Sequence, residues 1–396
     1  MRILFFASIF SIYGLLHLYV FFKIRGGLAF GGTGACFLTA FMALMVGAPI
    51  VVRLLEGYGF QASAHLVSYI GYTWMGLVFL FFFSSLAVDL YRLLVYAMDR
   101  FAPSMGLTLI TPSPRIVFTI ALISSVTMTV FGYFEARAIR TETVVITSPL
   151  IPKGIGSFNI AQISDVHLGL VVRHERLKQI VSAVRAADPD ILVSTGDLVD
   201  GQISNLAGLA ELLRAVNTPH GKYAVTGNHE FYAGLDQALE FTRNAGFTVL
   251  RGKKRDVTKF ITVAGVDDPA GQHFGFHREI AEGELLSHNP DEKFVLLLKH
   301  MPVVDNEAMG LFDLQLSGHT HKGQIFPFNL FTKLFFPHHT GLIYLPNDSH
   351  LYVSRGSGTW GPPIRFLSPP EVTIIRLVHG HGGINAGQAP TGEGVQ

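Results

Sequence analysis

The stretch Phe158-Asn159-Ile160-Ala161-Gln162-Ile163-Ser164-Asp165-Val166-His167 is an apolar, strand-like run that ends on Asp-x-His. The same pairing of a run with a polar block recurs three times. Residues 191–193 lead into Gly196-Asp197-Leu198-Val199-Asp200, residues 223–225 into Gly227-Asn228-His229-Glu230, and residues 294–298 into His300. A fifth block, Gly318-His319-Thr320-His321, closes the series without an assigned strand before it. One such block alone is chance. Their order carries the signal, because side chains at the carboxyl ends of adjacent strands converge on one crevice.

Working outward, residues 174–187 place Leu177, Ile180, Val181 and Val184 at helical spacing. Residues 206–216 and 235–244 also read as helices. Residues 260–266, 342–345, 351–354 and 372–378 read as strands with no helix between them. Helix-linked and hairpin-like strands in one domain predict an αββα sandwich, two mixed sheets flanked by helices, over residues 157–379. The tail 380–396 is rich in Gly and Pro and reads as disordered.

The first third of the chain is different. Only 15% of the 396 residues are charged, and the mean hydropathy of +0.38 is high for a soluble protein. Apolar runs at 3–22, 33–52, 64–88 and 116–134 each reach the roughly 20 residues that cross a bilayer. A cleavable signal peptide is a poor reading of the first, since three more spans follow. Residues 1–134 therefore predict an all-α domain of four transmembrane helices, and 135–156 a linker. Residues 89–101 read as an amphipathic interfacial helix, with Leu90, Leu93, Leu94 and Ala97 on one face. Within the spans there is no Asp, Glu, Lys or Arg, and His17 and His65 are the only histidines, which suits an anchor better than a transporter.

Orientation rests on a thin margin. An external amino terminus puts Lys23, Arg25, Arg92, Arg100 and Arg115 in the cytoplasm and leaves Arg2, Arg53, Arg137 and Arg140 outside. That balance, with four spans, predicts a multi-pass protein of a bacterial cell membrane with an extracytoplasmic catalytic domain. A net charge of +1 gives no reason to expect nucleic acid. A single cysteine, Cys36, excludes intramolecular disulfides.

The five blocks supply carboxylates, imidazoles and one amide. Two divalent cations roughly 3.5–4 Å apart clamp a phosphoryl group and activate water at neutral pH. Such a pair needs a bridging carboxylate, and Asp197 in the middle block is the natural candidate. Asp165 with His167, and His319 with His321, have the spacing to face one crevice, while Asn228 and His300 add neutral oxygen and nitrogen. With no sulfur ligand, the set suits Mn, Fe or Zn.

The order and spelling of these blocks resemble the calcineurin-like metallophosphoesterase superfamily over about residues 160–376, and within it a membrane-anchored bacterial branch. The resemblance implies that Asp165, His167, Asp197 and His321 hold one metal, and Asp197, Asn228, His300 and His319 the other. It also implies that His229 contacts the phosphate and protonates the leaving oxygen, that Asp200 orients His229, and that a bridging hydroxide is the nucleophile. Gly201 stands where protein Ser/Thr phosphatases of the superfamily carry Arg, which argues against a protein phosphatase. Lys322 stands where membrane-anchored relatives more often carry Gly, and reads either as a cation near phosphate or as a solvent-facing side chain. Residues 354–365 resemble the end of the domain in a branch that includes bacterial phosphodiesterases and enzymes hydrolysing UDP-diacylglucosamine.

Two features stay open at this level. Tyr232 reads as a substrate contact or as packing. Residues 326–337, which include Phe331, Phe335 and Phe336, read either as core beneath the second sheet or as an apolar lip gripping lipid. The expectation is a membrane-anchored hydrolase of a phosphodiester or pyrophosphate bond, acting on a lipid-linked substrate at the bilayer. A phosphomonoesterase or nucleotidase with a soluble substrate is the alternative. An inactive scaffold is disfavoured, because every ligand position is filled.

Overall fold

The computed structural model describes residues 2–101, 111–201, 206, 208–276, 280–287 and 292–380. The chain divides into two units, Met1–Phe134 with Gly361–Phe366, and Glu135–Trp360 with Leu367–Gln396. Residues 381–396, expected to be disordered, lie outside the described residues.

The first unit holds α1 (Arg2–Leu28), α2 (Gly32–Gly57), α3 (Gln61–Phe101) and α4 (Pro114–Glu135). All four are long and apolar enough to cross a membrane. Val20, Met42, Val78, Phe81 and Ala121 pool one residue or more from every helix into a single buried cluster. Gly71 lets α3 approach α2 closely, since a Cβ there would lie 2.6 Å from that of Ala48. Such small-residue contacts replace the hydrophobic drive that lipid removes. Outward faces remain apolar, with Ile12, Leu15, Phe37, Leu44 and Ile123 exposed.

Several polar groups of this unit pair with one another. Lys23 Nζ pairs with Asp89 at 2.5 Å, and the Tyr19 hydroxyl donates to the same carboxylate at 2.6 Å. Trp74 Nε1–H donates to His17 Nε2 at 2.9 Å, so His17 is spent on packing. Residues 89–101 are not a separate interfacial helix, because α3 runs unbroken for 41 residues. No Pro interrupts residues 64–101, so nothing in the sequence stops the helix at 88. Late in the chain, Gly361–Phe366 belongs to this unit, where the Arg365 N–H donates to the Gly132 carbonyl at 2.9 Å.

The second unit contains two six-stranded sheets. The first comprises β1 (Arg140–Ser148), β2 (Ser157–Ile163), β3 (Ile191–Ser194), β4 (Lys222–Ala224), β5 (Thr248–Val249) and β12 (Glu371–His379), in the order β1-β12-β2-β3-β4-β5. The second comprises β6 (Lys253–Asp256), β7 (Ile261–Gly265), β8 (Phe294–Leu298), β9 (Leu314–Ser317), β10 (Gly341–Tyr344) and β11 (His350–Val353), in the order β10-β11-β9-β8-β7-β6. Strands β2 to β5 run parallel, as do β7, β8, β9 and β11; β2 with β12, β6 with β7 and β10 with β11 are antiparallel.

Period-two alternation builds three layers of core. In β8, Phe294, Leu296 and Leu298 face the space between the sheets, where Ile160, Val193 and Ile375 of the first sheet meet them. Val295 and Leu297 point the other way, against Leu285 and Leu286 of α9 (Glu282–Leu286). On the far side of the first sheet, α5 (His174–Ala186) buries Leu177, Ile180, Val181 and Val184, joined by residues of α6 (Leu209–Arg214) and α8 (Leu235–Asn244). This is the expected αββα sandwich.

The linker expected over 135–156 is corrected by β1, which lies parallel to β12 over nine residues. Its run Thr143-Val144-Val145-Ile146-Thr147 is β-branched throughout and fits a pleated, half-buried surface. Its partner lies some 230 residues away in sequence, which is why the pairing could not be read locally. Strand β9 supplies the run that the fifth polar block lacked.

Candidate metal centre

Blocks one to three follow β2, β3 and β4, which are neighbours in the first sheet. Blocks four and five follow β8 and β9, which are neighbours in the second. All five thus leave the carboxyl ends of parallel strands. Asp165, His167, Asp197, His319 and His321 all have positive φ, between 48° and 71°. Few non-glycine residues adopt that conformation. It bends each chain sharply at the strand end and turns the side chain back over the sheet. Gly318 completes the geometry, because Ser164 Oγ and Asp165 Oδ2 occupy the place of a Cβ.

The structure brings all seven expected ligands together in two groups. In the first, His167 Nε2 lies 3.1 Å from His321 Nε2, and His321 Nε2 lies 3.4 Å from Asp165 Oδ1. In the second, His319 Nδ1 lies 3.1 Å from Asn228 Oδ1 and 3.2 Å from His300 Nε2. Asp197 Oδ2 stands between the groups, 3.1 Å from His300 Nε2 and 3.8 Å from His167 Nε2. That is the place of a bridging ligand.

The tautomers test whether these groups fit cations. Thr195 offers His300 Nδ1 only a carbonyl, at 2.8 Å, so Nδ1 donates and Nε2 is the atom left to face Asp197 and His319. A neutral His300, the form that coordinates, would turn its Nε2 lone pair on the Asp197 carboxylate 3.1 Å away, a contact that positive charge between them relieves. Separations of 3.1–3.4 Å suit ligand atoms held around a cation at roughly 2.0–2.2 Å. The residues fit two divalent ions.

Protonation agrees for two of the imidazoles. Burial, with the charge of nearby His229, lowers His167 to about 4, and burial with the charge of His300 lowers His319 to about 3, so both are neutral and ready to coordinate. Burial opposes charge on His300 too, but Asp197 and Asp165 overcome it and raise this group well above its ordinary value. Cations at the centre would reverse that balance.

His229 lies beside the ligands, its ring 4.6 Å from that of His167 and a ring nitrogen within 4.8 Å of the ligand atoms of His167 and Asp197, but a carboxylate already occupies one of its nitrogens. Its Nδ1 donates to Asp200 Oδ1 at 2.9 Å, which leaves Nε2 free. Burial works against its charge, yet Asp197 and Asp200 raise it to about 9, so the ring carries a proton at neutral pH. This arrangement can deliver a proton to an oxygen beside the metal pair.

Glu230 is the side chain whose role sequence reasoning missed. It is buried at the third position of α7 (Asn228–Ala233) and accepts from the N–H of Gly227 at 2.6 Å, as an N3 carboxylate does. It also accepts from the backbone N–H groups of Asp197 and Leu198, at 3.0 and 2.8 Å. One carboxylate therefore ties the second block to the third.

Of the expected contact residues, Tyr232 is half exposed with its ring 5.3 Å from that of His229. Lys322 is half buried, and its charge acts on His339. Residues 328–335 form α10 (Phe328–Phe335), which is not core: Thr332 is its buried residue, and Phe331, Leu334 and Phe335 are exposed. Phe336 follows with its ring 5.1 Å from His319. The Trp360 ring, within the stretch 354–365 whose resemblance was noted but given no site role, stands 5.7 Å from His229.

Comparison with known proteins agrees with this geometry. Residues 158–323 match the calcineurin-like phosphoesterase family. An uncharacterized metallophosphoesterase of Aquifex aeolicus is 43% identical over 249 residues, 62% of this chain and 95% of that one. Another from Campylobacter jejuni is 30% identical over 317 residues, covering 78% and 83%. A Bos taurus transmembrane protein with a metallophosphoesterase domain is 30% identical over 337 residues, covering 79% and 74%. Five ligand blocks on parallel strand ends, two facing donor groups and these relatives agree: the chain belongs to the calcineurin-like metallophosphoesterase family and is a metal-dependent phosphoester hydrolase.

Proposed function

We propose that the protein is a membrane-anchored dimetal phosphoesterase that cleaves a phosphodiester or pyrophosphate bond in a lipid-linked substrate at the bilayer surface. One observation carries the reading. In a chain with four helices long enough to cross a membrane, α10 exposes Phe331, Leu334 and Phe335 and ends at Phe336, against the His319 ring. Burying three such side chains in an interface contributes roughly 4–9 kcal/mol at 1.5–3 each, before ordering costs. That is enough to hold the mouth of the site against lipid.

Asp165, His167, Asp197 and His321 would hold one cation, and Asp197, Asn228, His300 and His319 the other. Manganese, iron or zinc suits these oxygen and nitrogen donors. When bound, the ions supply charge for the phosphoryl oxygens and activate water for attack. The chain supplies the rest. His229 donates its Nε2 proton to the departing oxygen, and Asp200 fixes the ring by its bond to Nδ1. Glu230 holds the loop that presents Asp197. The five-to-four balance of arginine and lysine supports a catalytic domain outside the cytoplasm, and a reporter fused after Val378 that works only in the cytoplasm would reverse that part.

The test of substrate is a comparison with full-length protein in lipid nanodiscs. A lipid pyrophosphate, a water-soluble diester and a soluble monoester are offered with each metal in turn. The expected outcome is chelator-sensitive turnover with the lipid substrate preferred. Equal or faster turnover of the soluble monoester would favour the nucleotidase alternative.

A further inference from the structure

Trp360 sets its ring 5.7 Å from that of His229 in an edge-to-face arrangement, at 73° between planes, while 56% of the residue stays exposed. Burial alone does not fix an exposed ring in place. The fixing comes from Gln324, a residue nine-tenths buried. Its Oε1 accepts from the Trp360 N–H at 2.9 Å, and its Nε2 donates to the Trp360 carbonyl at 2.9 Å. One carboxamide thus grips both polar groups of a single backbone residue.

Gln324 itself sits at φ 54°, ψ −48°, with the Ile325 N–H bonded to the Gly323 carbonyl at 2.5 Å. That is a γ-turn of the rare, strained hand. Strain of this kind persists where the surroundings over-determine it, often at functional sites. The turn lies three residues beyond His321, so the last ligand block and the Trp360 grip are parts of one short segment. On the same imidazole, Tyr232 places a second half-exposed ring at 5.3 Å, braced by Phe274 at 5.9 Å. A group bonded to the oxygen that His229 protonates must lie beside these two rings.

We infer that Trp360 is a specificity-determining residue that meets the leaving group and favours one with a flat apolar ring face, and that Gln324 is a positioning residue acting through it. The inference rests on the proton-donor role given above to His229. A nucleobase and a pyranose share the ring-face chemistry, and the experiment separates them.

Full-length, metal-loaded protein in detergent is assayed on two diesters whose leaving groups match in acidity, one phenyl and one fluoroalkyl. Trp360→Ala should raise KM for the phenyl ester about ten-fold and change that for the fluoroalkyl ester less than about two-fold. Trp360→Phe should restore most of the loss. Gln324→Ala should reproduce the Trp360→Ala split at unchanged metal content, and the double variant should be no worse than either. Equal losses on both esters would overturn the ring contact, and additive losses would overturn the role of Gln324. A nucleoside monophosphate and a hexose 1-phosphate then serve as product inhibitors. The one whose inhibition weakens in Trp360→Ala identifies base or sugar, and weakening of neither counts against the proposal. A His229→Ala control keeps the two readings apart. If it slows good and poor leaving groups equally, the proton-donor role fails whatever Trp360 does.

Discussion

The Asp197 backbone N–H donates to the Glu230 carboxylate at 3.0 Å, while the Asp197 Oδ1 accepts the His229 N–H at 2.8 Å. The second and third blocks are thereby locked by reciprocal bonds, each carboxylate taking an N–H from the other's loop. This lock leaves Asp197 Oδ2 free to face both donor groups.

Asp197→Ala should therefore empty both metal positions, since the residue stands between the two groups. Asn228→Ala removes a donor from one group alone and should weaken that position while sparing the other. Metal analysis of the purified variants reads this directly. Wild-type turnover in Asp197→Ala, still sensitive to chelator, would show that the bridge is misassigned.

Glu230→Gln should act without touching a metal. It places an NH2 group where backbone N–H donors converge, and leaving a buried donor unpaired costs about 1–3 kcal/mol. A drop in stability of about 2–3 kcal/mol is expected, with metal affinity weakened about 10–100-fold, as for other supports of a ligand shell. Denaturant titration with and without metal separates the two effects. Unchanged metal affinity would confine Glu230 to a purely structural role.

His229→Ala should cost about 10²–10⁴-fold in kcat with metal content preserved. The loss should shrink as the leaving group improves, being smallest for nitrophenolate. Asp200→Asn should be milder, because it disturbs the orientation of the ring and leaves the donor in place. Loss of metal from His229→Ala would mean that a ligand has been taken for an acid.

Polar replacement of Phe331 and Phe335 on α10 should leave the melting temperature within a few degrees, since both side chains are already exposed. Turnover of a lipid substrate should fall far more than turnover of a small diester. Phe336→Ser should affect both substrates, because that ring touches His319. Unfolding of the Phe331 and Phe335 variants would return α10 to the core.

The sequence by itself determined the parts of this protein whose information is local. Hydropathy windows found the four long helices because a bilayer-length helix is one contiguous run. The seven expected ligands were legible because four of the five polar blocks sit next to a readable strand and the fifth keeps their order in the chain. Period-two and period-3.6 patterns marked most of the strands and the buried face of α5.

What only the tertiary structure decided depends on distant pairing. Strand β1 was hidden because its partner, β12, closes a loop of more than two hundred residues, and nothing local encodes that choice. The continuity of α3 through residue 101 shows the reverse failure, an amphipathic change taken for a break where the backbone has no reason to stop. Trp360 and Gln324 lie in separate loops and meet because β11 and β9, parallel neighbours in the second sheet, end on the same side. Whether α10 is core or surface was likewise undecidable from composition, since exposed and buried phenylalanines are spelled alike. Neighbours in space fix that difference.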